Sequence, residues 1–201
     1  MGVGSVLAQG PHGRACVAIV NVANGDEELL RSSRTAAKNQ KVVAHLDATA
    51  PCEVLVAPFL KSGPLVPGWL PEYVELSAAK EASVPKGPVS WMWEKESGPL
   101  EIYVLFQARG ATAGKEIREL VDAMRKARDP GVVKLQASKL RELIGRANFD
   151  RQAALRPPKP NSEVAGTMRM VVGFEWRDSA RTASFSAEKP GVLIFPATDS
   201  R

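Results

Sequence analysis

Eight prolines stand between residues 51 and 99, at Pro51, Pro58, Pro64, Pro67, Pro71, Pro85, Pro88 and Pro99. Proline gives up its N–H and fixes φ, so a helix of ordinary length does not fit between them. The apolar residues of this stretch instead form short runs broken by turn signals. Such runs read as brief strands, with the prolines at edges and bulges. The constraint therefore favours a β-rich fold before any other feature is considered.

The rest of the chain before Gly114 reads the same way. Cys16–Val22 is a continuous apolar run, suited to a buried strand, and Asn24-Gly25-Asp26 follows as a turn. Residues 27–40 have no clear period and fit a short helix or an exposed loop. Lys41–Asp47, Cys52–Leu60, Trp69–Leu76, Val89–Glu94 and Leu100–Gln107 read as strands. The last two are joined by a Gly-Pro hairpin loop at 95–99. Trp91 and Trp93 should share one face of their strand and Met92 the other. A paired indole platform for a sugar or a peptide is one reading of them, and a central strand of the core is the other.

After Gly114 the period changes. Ile117, Leu120, Val121 and Met124 follow i, i+3, i+4, i+7, as an amphipathic helix requires. Asp129-Pro130-Gly131 breaks it. Val133, Ala137, Leu140, Ile144 and Ala147 then form a second stripe. This predicts a helical hairpin, Lys115–Arg128 and Val132–Ala147, packed on a sheet through Leu120, Met124, Leu140 and Ile144. A proline-stiffened connector follows at 156–161. Strand signals resume at Thr167–Trp176, Thr182–Ala187 and Gly191–Pro196.

The expected fold is mainly β (α+β): an antiparallel β-sandwich of about nine strands with a two-helix hairpin at about 115–148, inside an insertion spanning 112–160. An open α+β sheet with the hairpin on one face is the alternative. Residues 14–201 form one domain. Residues 1–13 read as the remnant of a signal peptide and a flexible N-terminus. Val6-Leu7-Ala8 fits the small-residue cleavage box, although the basic and most of the apolar parts of such a signal are missing.

The stretch 52–109 resembles a bacterial domain of unknown function often fused to serine/threonine kinases or caspase-like peptidases. The likeness lies in the strand Cys52–Phe59, the loop into Gly68-Trp69-Leu70-Pro71, the Val84-Pro85 step, and the turn at Gly98 leading into Ile102–Phe106. The hairpin after Gly114 departs from that pattern. The resemblance implies a β-rich module and brings no catalytic residues to carry over.

Cys16 and Cys52 each sit at the start of an apolar run. In an oxidising compartment they would form a disulfide, worth about 3–4 kcal/mol for a loop of this length. The alternative is two buried thiols. With the cleavage box, the pair points to a periplasmic or secreted protein. No apolar run nears the roughly 18 residues of a membrane helix.

Motifs for chemistry are scarce. The segment 105–116 approaches a phosphate-binding loop, but only three residues separate Gly110 from Gly114, and Glu116 replaces the hydroxyl after Lys115. His12 falls in the N-terminal segment, and His45 alternates with apolar residues in a strand, as packing would require. Asp47 and Glu53 would make a carboxylate pair only if they faced one cleft. No catalytic residue, metal site or cofactor is expected from these patterns. A hydrolase using scattered carboxylates is the alternative.

The net charge is +5. Between Arg125 and Lys159 there are ten Lys or Arg against three acidic residues. Because the apolar stripes are committed to packing, the basic face of the hairpin becomes the candidate contact surface, through Lys134, Arg141, Arg146 and Arg151. Trp69, framed by Pro67-Gly68 and Pro71, is a second candidate. The expected partner is an acidic protein or another anionic component of the envelope. Nucleic acid is disfavoured, because exposed aromatics do not interleave with the charges. The function expected from the sequence is a non-catalytic binding or scaffold module of the cell envelope, with a subunit of a larger complex as a variant of that reading.

Overall fold

The computed structural model describes residues 10–30, 40–61, 63–86, 91–93, 99–146 and 176–197. These form two antiparallel sheets and two helices. The first sheet holds β1 (His12–Asn21), β2 (Glu27–Leu29), β3 (Gln40–Ala48), β6 (Ala82–Val84), β7 (Trp91–Trp93) and β9 (Arg181–Ser184). Its order is β2-β1-β3-β6, with β7 also on β3 and β9 also on β1. The second sheet runs β10 (Gly191–Ala197), β8 (Leu100–Ala108), β4 (Cys52–Leu60), β5 (Glu72–Leu76). The helices are α1 (Thr112–Lys126) and α2 (Pro130–Arg146).

Side-chain parity explains how these elements layer. On β1, Ala15, Val17 and Ile19 enter the main core, as do Val42, Ala44, Leu46 and Ala48 of β3. From the second sheet come Cys52, Val54 and Val56, Leu100 to Phe106 at alternate positions, and Leu193 and Phe195. The intervening residues of that sheet, Leu55, Ala57, Phe59, Leu105 and Val192, belong to a second cluster with Ile117, Val121, Met124, Ala137, Leu140 and Ile144. The molecule is thus a β-sandwich whose second sheet is also covered by the helical hairpin. A sheet buried on both faces must be apolar at consecutive positions, which is why Val54–Leu60 reads as an unbroken apolar run.

Close packing between the sheets uses one glycine directly. A Cβ on Gly13 would lie 2.1 Å from the Phe106 ring. The absent side chain lets Phe106 press against β1, where it stacks on Phe185 at 6.4 Å.

The hairpin forms where its period places it, with both helices starting two or three residues earlier than expected. Asp129 does more than end α1. Its Oδ1 accepts from the Gly131 N–H at 2.8 Å, and its carbonyl accepts from Val132 and Val133. Asp129 is therefore the N-cap of α2, and Pro130 occupies the first helical position, where its missing N–H costs nothing. Met124, Leu140 and Ile144 are buried as expected, and Leu120 packs on the cluster while partly exposed.

Three expectations are corrected. Cys16 and Cys52 form no disulfide, and both are buried free thiols. Cys16 has the parity of Ala18 and Val20, opposite to that of the core residues Ala15 and Val17, so it points away from the sandwich interior. Cys52 points into it. No rotamer change brings the two sulfurs together through the sheet. Secondly, His12 lies at the start of β1, where its N–H donates to Thr49 Oγ1 at 3.0 Å. Thirdly, strands form at Glu27–Leu29 and Ala82–Val84, neither of which the pattern identifies. Of the expected strand Thr167–Trp176, only Trp176 lies within the described residues, and it opens a 3-10 turn, Trp176–Ser179.

Candidate functional site

The hairpin layer holds an apolar groove that combines residues singled out in the sequence. A groove of about 450 Å³ lies between the loop Pro64–Leu70 and the α1–α2 junction. Leu65, Val66, Trp69, Val133 and Ala137 line it, and its charged lining residues are Arg128 and Lys134, both basic. Both cations are exposed. The sequence places them there for a local reason: Asp129 and Pro130 start α2 immediately after α1 ends, so residues 128 and 134 flank the turn. Val132 and Leu135, on the first turns of α2, are 39% and 56% exposed, two of only three large apolar side chains so exposed among the described residues.

Trp69 reaches this groove but is not a surface indole. It is 5% exposed, stacks on Trp91 at 5.9 Å, and donates its N–H to the Met92 carbonyl at 3.1 Å. It forms part of the groove wall from within the core. Trp91 and Trp93 are core residues with Met92 half-buried on the other side, so the parity is as expected and the indole platform is not formed.

The basic candidates separate into distinct roles. Arg141 is a clamp: it donates to the carbonyls of Leu60 at 2.9 Å, Lys61 at 3.2 Å and Gly63, and its guanidinium lies over Phe59. It also lies 3.6 Å from Glu101. Such a side chain organises the end of β4 and is not available to a partner. Arg125 is similarly held by Glu72 at 2.9 Å and the Pro71 carbonyl. Lys134 remains as a contact candidate. Arg146 ends α2, and its side chain, like all of Arg151, lies outside the described residues.

A second feature escaped the sequence reading. Glu53 is 5% exposed and sits beneath α1. Its Oε2 accepts from the Tyr73 hydroxyl at 2.5 Å, and its Oε1 from Arg118 at 2.5 Å. Gln107, directly opposite Glu53 on β8, donates to the Tyr73 oxygen at 2.9 Å. Burial, followed by the hydrogen bond to Glu53, pushes the Tyr73 hydroxyl up to about 12, so it remains a donor at neutral pH. The available signal was a glutamate interrupting an otherwise apolar strand.

A cleft of about 550 Å³ adjoins this network at the first turns of α1, lined by Glu53, Glu119 and Asp122 with Lys115 and Arg118. Three carboxylates there oppose a bound phosphate, in keeping with the broken loop motif. Asp47 and Glu53 do not face one cleft. Asp47 lies on the outer face of the first sheet, gripped by Arg14 at 2.8 and 2.5 Å, and Glu53 lies under the helices.

That outer face carries a third cluster. His45 Nδ1 lies 3.0 Å from Ser83 Oγ, and His45 Nε2 lies 3.3 Å from Glu27 Oε2. Trp176 stacks on the imidazole at 5.8 Å. Cys16 lies opposite His45 on β1, and burial pushes its thiol up to about 12. His45 was expected to pack without partners, because Ser83 and Glu27 are distant in sequence. No group of three or more His, Cys, Asp or Glu among the described residues is arranged to hold a metal. No helix among the described residues is long and apolar enough to cross a membrane. No family model, no characterised protein and no solved structure matches the chain.

Proposed function

We propose that the chain is a binding module that docks an acidic protein segment, anchored by an apolar side chain, in the groove at the α1–α2 junction. One observation carries this reading: the groove is apolar inside and every charged residue lining it is basic. An apolar anchor supplies affinity by leaving water, at about 25 cal/mol per Å² buried. Arg128 and Lys134 select acidic flanks and speed encounter.

Export to the periplasm or beyond remains part of the proposal on the strength of Val6-Leu7-Ala8. The cysteines no longer support it. The resemblance of residues 52–109 to a module fused to signalling or peptidase domains is compatible with a docking role.

The test uses the full chain and a fluorescein-labelled 12-residue peptide in which Glu alternates with Leu. A matched peptide with Ser for Leu is the control. Binding should require the Leu side chains, weaken between about 50 and 500 mM salt as screening shortens, and fall sharply in Arg128→Glu/Lys134→Glu. Binding that survives the double charge reversal, or that ignores the loss of Leu, would refute the groove.

A further inference from the structure

We propose that Ser83, His45 and Glu27 form an acyl-transfer site for carboxylic esters on the outer face of the first sheet. This face lies across the sandwich from the helical hairpin, so the proposal is independent of the groove.

Strand register brings the three together. Ser83 is directly opposite His45 in the β3–β6 pair, and Glu27 enters from β2 on the far side of β1. All three project from the face that carries Cys16, because residues directly opposite in an antiparallel pair share a side. The order nucleophile, base, carboxylate is the arrangement that activates a serine, whatever the fold that presents it.

The geometry also assigns the protons. His45 Nε2 is shielded from solvent and lies 3.3 Å from the Glu27 carboxylate, within reach of its charge but outside hydrogen-bond geometry with it. An anion there favours the tautomer with its proton on Nε2. Nδ1 then carries the lone pair, and it lies 3.0 Å from Ser83 Oγ. Ser83 is exposed and stands on β6, the end of the strand order among the described residues. A substrate therefore reaches the hydroxyl from solvent while the base stays partly covered. Trp176 stacks on the imidazole and sets a buried apolar ring beside the base. Its turn is tied down by Arg177, which pairs with Glu81 and lies 3.8 Å from Asp47. Cys16, next to the base, stays a protonated thiol and does not compete as a nucleophile.

The chemistry balances with water as the second reactant. Ser83 Oγ attacks the ester carbonyl carbon, and its proton passes to Nδ1. The imidazolium is stabilised by Glu27. Collapse breaks the C–O bond, and the proton on Nδ1 leaves with the alcohol. Water then attacks the acyl-serine, gives a proton to Nδ1, and releases the carboxylic acid as Ser83 Oγ recovers its proton.

The experiment is covalent labelling of the full chain with an alkyl fluorophosphonate, in which Ser83 Oγ bonds to phosphorus and fluoride leaves. Peptide mass mapping should place the adduct on Ser83, and Ser83→Ala should abolish it. His45→Asn should slow labelling by about a hundredfold or more, the scale of a general base. Glu27→Gln, a change at a more exposed position, should slow it as well and carries the test if the histidine variant does not fold. No adduct at Ser83 under excess probe, or an adduct forming equally fast in a natively folded Glu27→Gln and His45→Asn, would overturn the proposal.

Discussion

Gly114 of α1 stands directly over Gln107 and Glu53: a Cβ at this glycine would meet Gln107 Nε2 at 2.5 Å and Glu53 Oε2 at 2.7 Å. The close approach allows the buried carboxylate, the amide and the Tyr73 hydroxyl to be sealed by the helix. Two effects compete in Gly114→Ala. Helix propensity alone would stabilise by about 1 kcal/mol. The added methyl instead displaces two hydrogen-bonded buried groups, and disturbing such a network costs about 1–3 kcal/mol. The second effect wins, so Gly114→Ala should lower the urea midpoint. A higher midpoint would mean that the helix does not rest on this network.

Tyr73→Phe addresses the same network from the other side. It removes the donor to Glu53 and the acceptor of the Gln107 amide without changing the ring beneath Arg118. The expected loss is about 1–3 kcal/mol in equilibrium unfolding, with a native near-ultraviolet spectrum.

Leu140 is fully buried between α2 and the second sheet. Leu140→Ala should cost about 2–5 kcal/mol through the lost transfer energy and the cavity left behind. Leu140→Asp should cost more, because a carboxylate would enter an apolar contact without a partner. A Leu140→Asp variant melting like the wild type would detach the hairpin from the sheet.

Much of this layering was legible in the sequence because long elements carry redundant signals. The stripes 117–124 and 133–144, and the runs 52–60, 100–107 and 191–196, repeat their message over several turns or pleats. The short strands Glu27–Leu29 and Ala82–Val84 carry three residues each, and they exist because β1 and β3 offer edges to pair with. The disulfide failed for a different reason. Cys16 lies in a run that is apolar on both faces, so the pattern does not reveal which parity enters the sandwich. The contact residues failed through distance along the chain: Arg141 reads as a solvated helix cation until the carbonyls of the turn after β4, about 80 residues away, are placed beside it. His45 gained its Ser83 and Glu27 neighbours in the same way.

The thiols and Tyr73 make a pH prediction. Burial raises Cys16 from 9.0 to about 12 and Cys52 from 9.0 to about 11, and Tyr73 rises from 10.0 to about 12. In each case the folded state holds the proton more tightly than the unfolded state. The contribution is complete below the unfolded values and is lost as pH climbs through the folded ones. Urea midpoints should therefore hold steady to about pH 9 and fall between pH 9 and 12. Cys16→Ala should flatten the early part of that fall. Ellman's reagent should react slowly with native protein and count two thiols after unfolding, and reduction should leave the intact mass unchanged.

Arg141 and Lys134 lie on one helix, and their substitution should have opposite signatures. Arg141 spans three backbone carbonyls and the Phe59 ring, so Arg141→Ala removes several hydrogen bonds to half-buried and exposed acceptors and should cost about 1 kcal/mol. The affinity of the folded variant for the acidic Glu-Leu peptide should hardly change. Lys134 is exposed beside the groove, so Lys134→Glu should shift stability by about 0.5 kcal/mol or less. It should weaken peptide binding most at low salt, where an unscreened charge acts furthest. Paired measurements of unfolding midpoint and peptide affinity check both halves. If Arg141→Ala abolishes binding while stability is retained, the contact surface lies around the end of β4 and not at the α1–α2 junction.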